Sequence, residues 1–175
     1  LEAGGNISCS IADAIYPKQN NTMAITIKIL SQDDISMLNN VAPDIFDDPI
    51  NIAQTKEFLA NPRHHLAVAI EDNLIVGFVS AVHYLHPDKP RPELWINEVS
   101  VAETHRRQGL GKRLLLAIFE VARELGCIDA WVLTERENIA AMNLYSALGN
   151  AAPSDCVMFE FRLEAAKDEI ARTSR

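Results

Sequence analysis

The sequence predicts an α/β fold, with a mixed central sheet of about six strands flanked by helices. Three observations carry that expectation. Short segments that alternate apolar and polar residues, or run apolar throughout, read as strands. Two longer segments repeat apolar residues at helical spacing and end at a glycine. The first long helix follows the fourth strand, which places helix-linked strands in the second half of the chain.

Residues 1–22 are small, polar and aperiodic, begin Leu-Glu and precede Met23, so they read as a disordered, upstream or vector-derived segment outside the fold. One domain is expected over 23–164, with a polar C-terminal tail at 165–175. Ala24–Leu30 alternates Ile25, Ile27 and Ile29 with polar partners and predicts the first strand. Ser31, with Asp33 and Asp34 behind it, starts a short helix. Val41–Ile50 holds two prolines and three aspartates and reads as a loop or broken helix, whereas Asn51–Ala60 is helical until Asn61-Pro62 stops it. Leu66–Ile70 and Leu74–Leu85 form a hairpin about the turn Glu71-Asp72-Asn73. After a loop with three prolines at 87–92, Glu93–Val101 is the fourth and central strand. Leu110, Leu114, Ile118, Val121 and Leu125 mark the long helix, which Gly126 closes. Ile128–Thr134 reads as a short buried parallel strand. Asn138 caps a further helix with Ala141, Leu144, Tyr145 and Leu148 on its apolar face, closed by Gly149, and Val157–Leu163 is the last strand.

Composition narrows the function. The chain has 175 residues, 48% hydrophobic and 23% charged, which suits one globular core. It has no apolar run long enough to span a bilayer. Cys9, Cys127 and Cys156 are odd in number and widely spaced, which suggests a reducing cytoplasm and neither a disulfide framework nor a metal pattern. A net charge of −8 argues against general nucleic-acid binding. That charge is uneven. Asp33, Asp34, Asp44, Asp47 and Asp48 fall between Lys28 and Lys56 with no Lys or Arg among them, and the basic cluster sits at 106–113. One region suits an anionic cofactor and the other a cationic substrate.

The basic cluster lies on the turn from the fourth strand into the long helix. A helix N-terminus leaves backbone N–H groups unpaired and partially positive, so it can hold a phosphate. Gly109 and Gly111 clear side chains from its approach. Arg106, Arg107, Lys112 and Arg113 add neutralising charge. A Walker loop is excluded, because Arg106 stands at its first glycine and Arg113 at its hydroxyl position. A dinucleotide fingerprint is excluded as well, because Leu114 replaces its third glycine.

What remains, Arg106-x-x-Gly109-x-Gly111 between a strand and a helix, resembles the acyl-CoA loop of the Gcn5-related N-acetyltransferase (GNAT) family. The resemblance extends to the strand end Val99-Ser100-Val101 and to Asn138-x-x-Ala141-x-x-x-Tyr145. It implies that acetyl-CoA binds along Val99, Ser100 and Val101, with its diphosphate on Arg106, Arg107, Gln108, Gly109, Leu110, Gly111 and Lys112. It also implies that Asn138 and Ala141 flank the pantetheine and that Tyr145 lies near the thioester sulfur. The stretch from Pro92 to Gly109, and Val157-Met158, are further similar to the type I aminoglycoside 3-N-acetyltransferases. Thr134–Glu137 is shorter than that group's acidic loop, and Asn97 stands where it has an aromatic residue. A homodimer is the state the resemblance implies.

Acetyl transfer to an amine needs a base for the ammonium and benefits from an acid for the departing thiolate. Glu98 is the candidate base, with Glu93 as its rival, and Tyr145 is the candidate acid. A phenol at roughly 10 stays protonated where a thiol near 8.5 ionises. Covalent catalysis has little support, since Cys127 has no histidine near it in sequence. His83 and His86 are expected on opposite strand faces, and His64 and His65 likewise diverge, so no metal is assigned. Asp44, Asp47, Asp48, Glu93, Glu98, Glu135 and Glu137 are the expected acidic set around a cationic acceptor. An aminoglycoside fits that set, and a polyamine or a protein amine is the alternative. A noncatalytic acyl-CoA-binding module is the alternative of another class.

Overall fold

The computed structural model describes residues 24–149 and 152–161. The predicted segment 1–22 and tail 165–175 lie outside the described residues. Packing divides the chain into two compact units, the first ending at Glu137 and the second beginning at Asn138.

In the first unit, β1 (Thr26–Ile29), a 3-10 helix (Gln32–Asn39), α1 (Ile52–Ala60), β2 (His64–Glu71), β3 (Leu74–Tyr84) and β4 (Glu93–Val101) come first. A second 3-10 helix (Glu103–His105), α2 (Leu110–Glu124) and β5 (Ala130–Val132) follow. The strands form one sheet in the order β1-β2-β3-β4-β5. The first three pairings are antiparallel and β4–β5 is parallel. The mixed α/β sheet is therefore present, with five strands among the described residues.

Local chemistry accounts for the elements. At the β2–β3 turn Asp72 and Asn73 have φ of 47° and 66°, the left-handed pair that suits the right-handed twist of a hairpin. Ser31 N–H and Oγ both donate to Asp34 Oδ2, at 3.0 and 2.9 Å, which starts the first 3-10 helix. Asn51 Oδ1 caps α1 by accepting from Ala53 and Gln54 N–H at 3.0 and 3.2 Å. α2 buries Leu110, Leu114, Leu115, Ile118 and Ala122. Leu125, expected on that face, is 39% exposed because the buried stripe shifts through Ala122.

α2 packs on one face of the sheet. Gly77 sits where β3 passes under it: an added Cβ would lie 2.9 Å from the Ser100 carbonyl oxygen and 3.4 Å from Leu114. Glycine is thus required by space at this crossing. The opposite face carries the first 3-10 helix, α1 and the loop at 41–50. That loop is anchored by Ala42 N–H to the Ile75 carbonyl at 2.9 Å and by buried Ile45.

The register between β3 and β4 slips at one point. Ser80 pairs with Glu98 and Ala81 with Ile96, which leaves Asn97 as an extra residue in β4. Such a bulge bends a strand and re-aims the side chain beside it.

The second unit contains α3 (Ile139–Ser146), capped by Asn138 Oδ1 accepting from Ala141 N–H at 3.1 Å. Gly149, with φ of 73°, follows the helix. The strand predicted at Val157–Leu163 is not found in its described part: residues 157–161 carry no strand, and 162–163 lie outside the described residues. An apolar run shows that a segment can be buried. It does not supply the neighbouring ladder that a strand needs.

Candidate active site

Among the described residues β3, not β4, is the middle strand, which corrects the central place expected for Glu93–Val101; β4 lies beside it and carries two different sites, one on its edge and one on its face. On the edge, pairing with β5 covers only Leu94–Ile96. From the bulge at Asn97 to Val101, β4 therefore has a ladder partner on the β3 side alone among the described residues. The half-buried residues Val99, Ser100 and Val101 present backbone groups along that edge, and backbone groups are obligatory hydrogen-bonders.

The edge leads into the basic turn. Arg106 ends the 3-10 helix Glu103–His105, Arg107 adopts φ of 65°, and Gly109, with φ of 77°, is the N-cap of α2. Among the described residues, a Cβ on Gly109 would meet nothing within 4 Å. The residue is glycine because of its backbone conformation and not because of crowding. The same openness leaves the helix start accessible. The first helical bond runs from Arg113 N–H to the Gly109 carbonyl at 3.1 Å, so the N–H groups before it belong to the unpaired first turn. These groups and the surrounding cations suit a diphosphate.

Several contacts hold the turn in shape. Arg106 Nε donates to the Val101 carbonyl at 3.0 Å and its Nη1 to Glu103 Oε1 at 3.3 Å. Gln108 Nε2 donates to the Thr104 carbonyl at 3.3 Å. His105 Nε2 lies 2.8 Å from Glu71 Oε2, which ties the turn to the β2–β3 hairpin. Arg113 does not serve the turn as expected: its guanidinium donates to the Ile25 carbonyl at 2.7 Å and so fastens α2 to the chain entering β1. Leu110 is buried under the helix, so it contributes to this site through its backbone.

On the face of the sheet, the bulge turns Glu98 into a cleft of about 300 Å³ beneath α1 and the loop at 41–50. Phe46, Phe58 and Phe78 line it, together with Asp48, Gln54 and Ser80. Phe46 and Phe78 stack with centroids 4.0 Å apart. Partial burial raises the Glu98 carboxyl above its ordinary value, and the negative charge of Asp47 pushes it further the same way. A carboxylate so raised is a better proton acceptor near neutral pH. The aromatic wall escaped the sequence reading, although the period of two along β3 already places Phe78 and Ser80 on one face.

The expected acidic set divides. Asp48 and Glu98 line the cleft, and Asp47, which does not line it, is near enough for its charge to act on Glu98. Glu93 does not join them. It is 2% exposed, forms an ion pair with Lys89, and accepts from Tyr84 Oη at 2.8 Å and Trp131 Nε1 at 3.1 Å. Those donors, Lys89 first, hold its carboxyl down to about 2. A carboxylate so saturated is a poor base, and it fixes the β4–β5 end of the sheet instead. Asp44 is also engaged, accepting Glu103 N–H at 2.7 Å. Glu135 and Glu137 are exposed and are not among the cleft-lining residues.

Asn138, Ala141 and Tyr145 belong to the second unit. The Asn138 side-chain oxygen is used as the α3 cap. Tyr145 is half-buried, and burial raises its phenol above 10.0, so it is protonated at neutral pH. The histidines make one unexpected contact: His65 Nε2 lies 2.8 Å from His83 Nδ1. Burial, with the charges of His83 and His64 behind it, lowers His65 to about 4. Among the described residues no group of three or more His, Cys, Asp or Glu could hold a metal ion, and no helix is long and apolar enough to cross a membrane.

Comparison with known proteins adds independent findings. The model of the Acetyltransferase (GNAT) family matches residues 34–149. N-acetyltransferase family 8 member 2 of Rattus norvegicus is 31% identical over 115 residues, covering 66% of this chain and 50% of the relative. The chain thus spans about half the length of that relative. Aminoglycoside N(6')-acetyltransferase type 1 of Serratia marcescens is 29% identical over 111 residues, covering 61% of this chain and 76% of that protein. Among solved structures, an aminoglycoside acetyltransferase from an uncultured soil metagenomic sample, in complex with sisomicin, gives a TM-score of 0.70 at 21% identity. That match covers 79% of this chain and 96% of the other, and it bears on the fold.

Proposed function

Because the chain belongs to the acetyltransferase (GNAT) family, we propose that it transfers acetyl from acetyl-CoA to an amine held in the cleft beside Glu98. The observation that carries this reading is the bulge at Asn97. The β4–β5 ladder ends at Ile96, just before the bulge, and the bulge aims a carboxylate with a raised pKa into a cleft on the face of the sheet.

The residues present fit the donor that this family uses. An unobstructed left-handed glycine at a helix start offers backbone N–H groups to a diphosphate. Among the described residues the β4 edge from Val99 onward has no strand on its β5 side and offers hydrogen bonds to an amide-bearing arm, apart from the Val101 carbonyl, which already accepts Arg106 Nε. Acetyl-CoA supplies an activated thioester carbonyl, so an amine attacks directly, forming C–N as C–S breaks and the thiolate departs. Glu98 takes the proton that the arriving ammonium must lose, directly or through a water. Tyr145 is the proposed acid that returns a proton to the thiolate. Its raised phenol is well supplied with that proton at neutral pH.

The acceptor we propose is an aminoglycoside, modified at its 3-amino group. Asp47, Asp48 and Glu98 suit ammonium groups, Gln54 and Ser80 suit hydroxyls, and the aromatic wall suits the C–H faces of sugar rings. The sequence resemblance to the 3-N enzymes supports the position, while the Serratia relative is a 6' enzyme. The same resemblance supports a homodimer, which sedimentation equilibrium measures. CoA release with acetyl-CoA and a panel of amines tests the substrate. Gentamicin-like or kanamycin-like amines are expected to saturate the reaction. Saturation only by polyamine or peptide amines would replace the acceptor, and CoA binding without turnover on any of them would indicate a noncatalytic acyl-CoA-binding module.

A further inference from the structure

One hydrogen bond joins the two sites on β4, and neither site needs it for its own chemistry. Asp44 Oδ2 accepts the backbone N–H of Glu103 at 2.7 Å, across 59 residues of sequence. On the acceptor side, Asp44 lies in the loop whose next residues, Phe46, Asp48, Pro49 and Ile50, line the cleft. That loop is fixed at its start, where Val41 bridges Ile75 and Asn40 Nδ2 donates to the Asn73 carbonyl at 2.7 Å. It is fixed again at its end by the Asn51 cap of α1. Between those anchors, the stretch from Asp44 to Asp48 forms no strand or helix and is held by side chains: buried Ile45, Phe46 stacked on Phe78, and Asp44 itself.

On the donor side, Glu103 opens the 3-10 helix that ends in Arg106. Arg106 reaches back to Glu103 Oε1 and to the Val101 carbonyl. Whatever draws on Arg106 or the turn after it therefore acts on the peptide that donates to Asp44. A carboxylate accepting a backbone N–H makes a charge-assisted bond, stronger and more directional than a neutral one. It converts a change at the turn into a constraint on the cleft wall.

We propose that Asp44 is a positioning residue that transmits occupation of the diphosphate turn to the acceptor cleft, so that CoA binding orders the loop carrying Phe46 and Asp48. The inference rests on the turn at Arg106–Gly109 being the donor site. It is independent of which amine is the acceptor. Coupling between sites is reciprocal, so an acceptor seated against the loop in turn tightens the grip on CoA.

Hydrogen–deuterium exchange of the amides between Asp44 and Asp48, with and without CoA, tests it on the full chain. Exchange in the wild type is expected to slow by about five-fold or more on CoA binding, the lower end of ordinary coupling. In Asp44→Ala, CoA still binds by calorimetry but the loop amides no longer respond. Asp44→Asn, which keeps an oxygen acceptor, is expected to retain most of the response and controls for misfolding. Equal protection in wild type and Asp44→Ala, or no protection in the wild type despite CoA binding, overturns this inference alone. Failure of the wild type to bind CoA overturns it together with the donor-site reading.

Discussion

Replacing Glu98 with glutamine is expected to lower kcat by about 10²- to 10⁴-fold, the usual contribution of an acid–base group. Glutamine keeps the size of the side chain and its place at the bulge but cannot accept the ammonium proton. The loss should fall mainly on kcat, because the cleft walls formed by Phe46, Phe58 and Phe78 are untouched. The pH profile gives the sign. A base works when ionised, so the rate of the wild type falls as pH drops through the Glu98 pKa. Burial and Asp47 raise that pKa, so the acid limb lies above the pH at which an ordinary glutamate would titrate. Glu98→Gln removes the limb along with the rate. Unchanged rates, or an acid limb that persists in the variant, would assign the proton to another group.

Phe78→Ala is expected to have the largest effect on stability, a loss of about 3–5 kcal/mol. Phe78 is 1% exposed and lies at the middle of β3, stacked on Phe46 at 4.0 Å and lining the cleft. Truncation leaves a cavity beside a wall that is itself part loop, and it releases Phe46 from its partner. A denaturation series measures this as a lower midpoint at unchanged slope. A loss under about 1 kcal/mol would mean that the loop collapses to fill the gap, and that the aromatic wall is not the fixed surface described here.

Much of the fold was legible because it depends on local signals. Asp72-Asn73 specifies its hairpin by backbone preference, the 51–60 helix is bounded by its cap and Asn61-Pro62, and α2 follows from its buried stripe. The donor turn was legible for the same reason, since Gly109 and the basic residues are contiguous. Partnership was less legible. Val157–Phe161 has the composition of a strand, but composition names no neighbour. Charge was less legible again. Seven carboxylates met the description of a cationic site, yet Glu93 is taken up by Lys89, Tyr84 and Trp131, and Asp44 by Glu103 N–H. Only tertiary pairing shows which acid is already satisfied. The bulge at Asn97 is likewise a matter of register between two strands: it sets Glu98 beside Ser80 on the cleft face. Glu93 lies on that same face but at the Tyr84 end of β4, where Lys89, Tyr84 and Trp131 hold it away from the cleft.

A crystal structure of the chain with CoA tests the central claim most directly. The diphosphate should lie within hydrogen-bond reach of the backbone N–H groups at the start of α2, with the pantetheine arm along Val99–Val101 and its thiol end toward Glu98. A diphosphate bound away from Gly109, or an arm that leaves the β4 edge unpaired, would contradict the account.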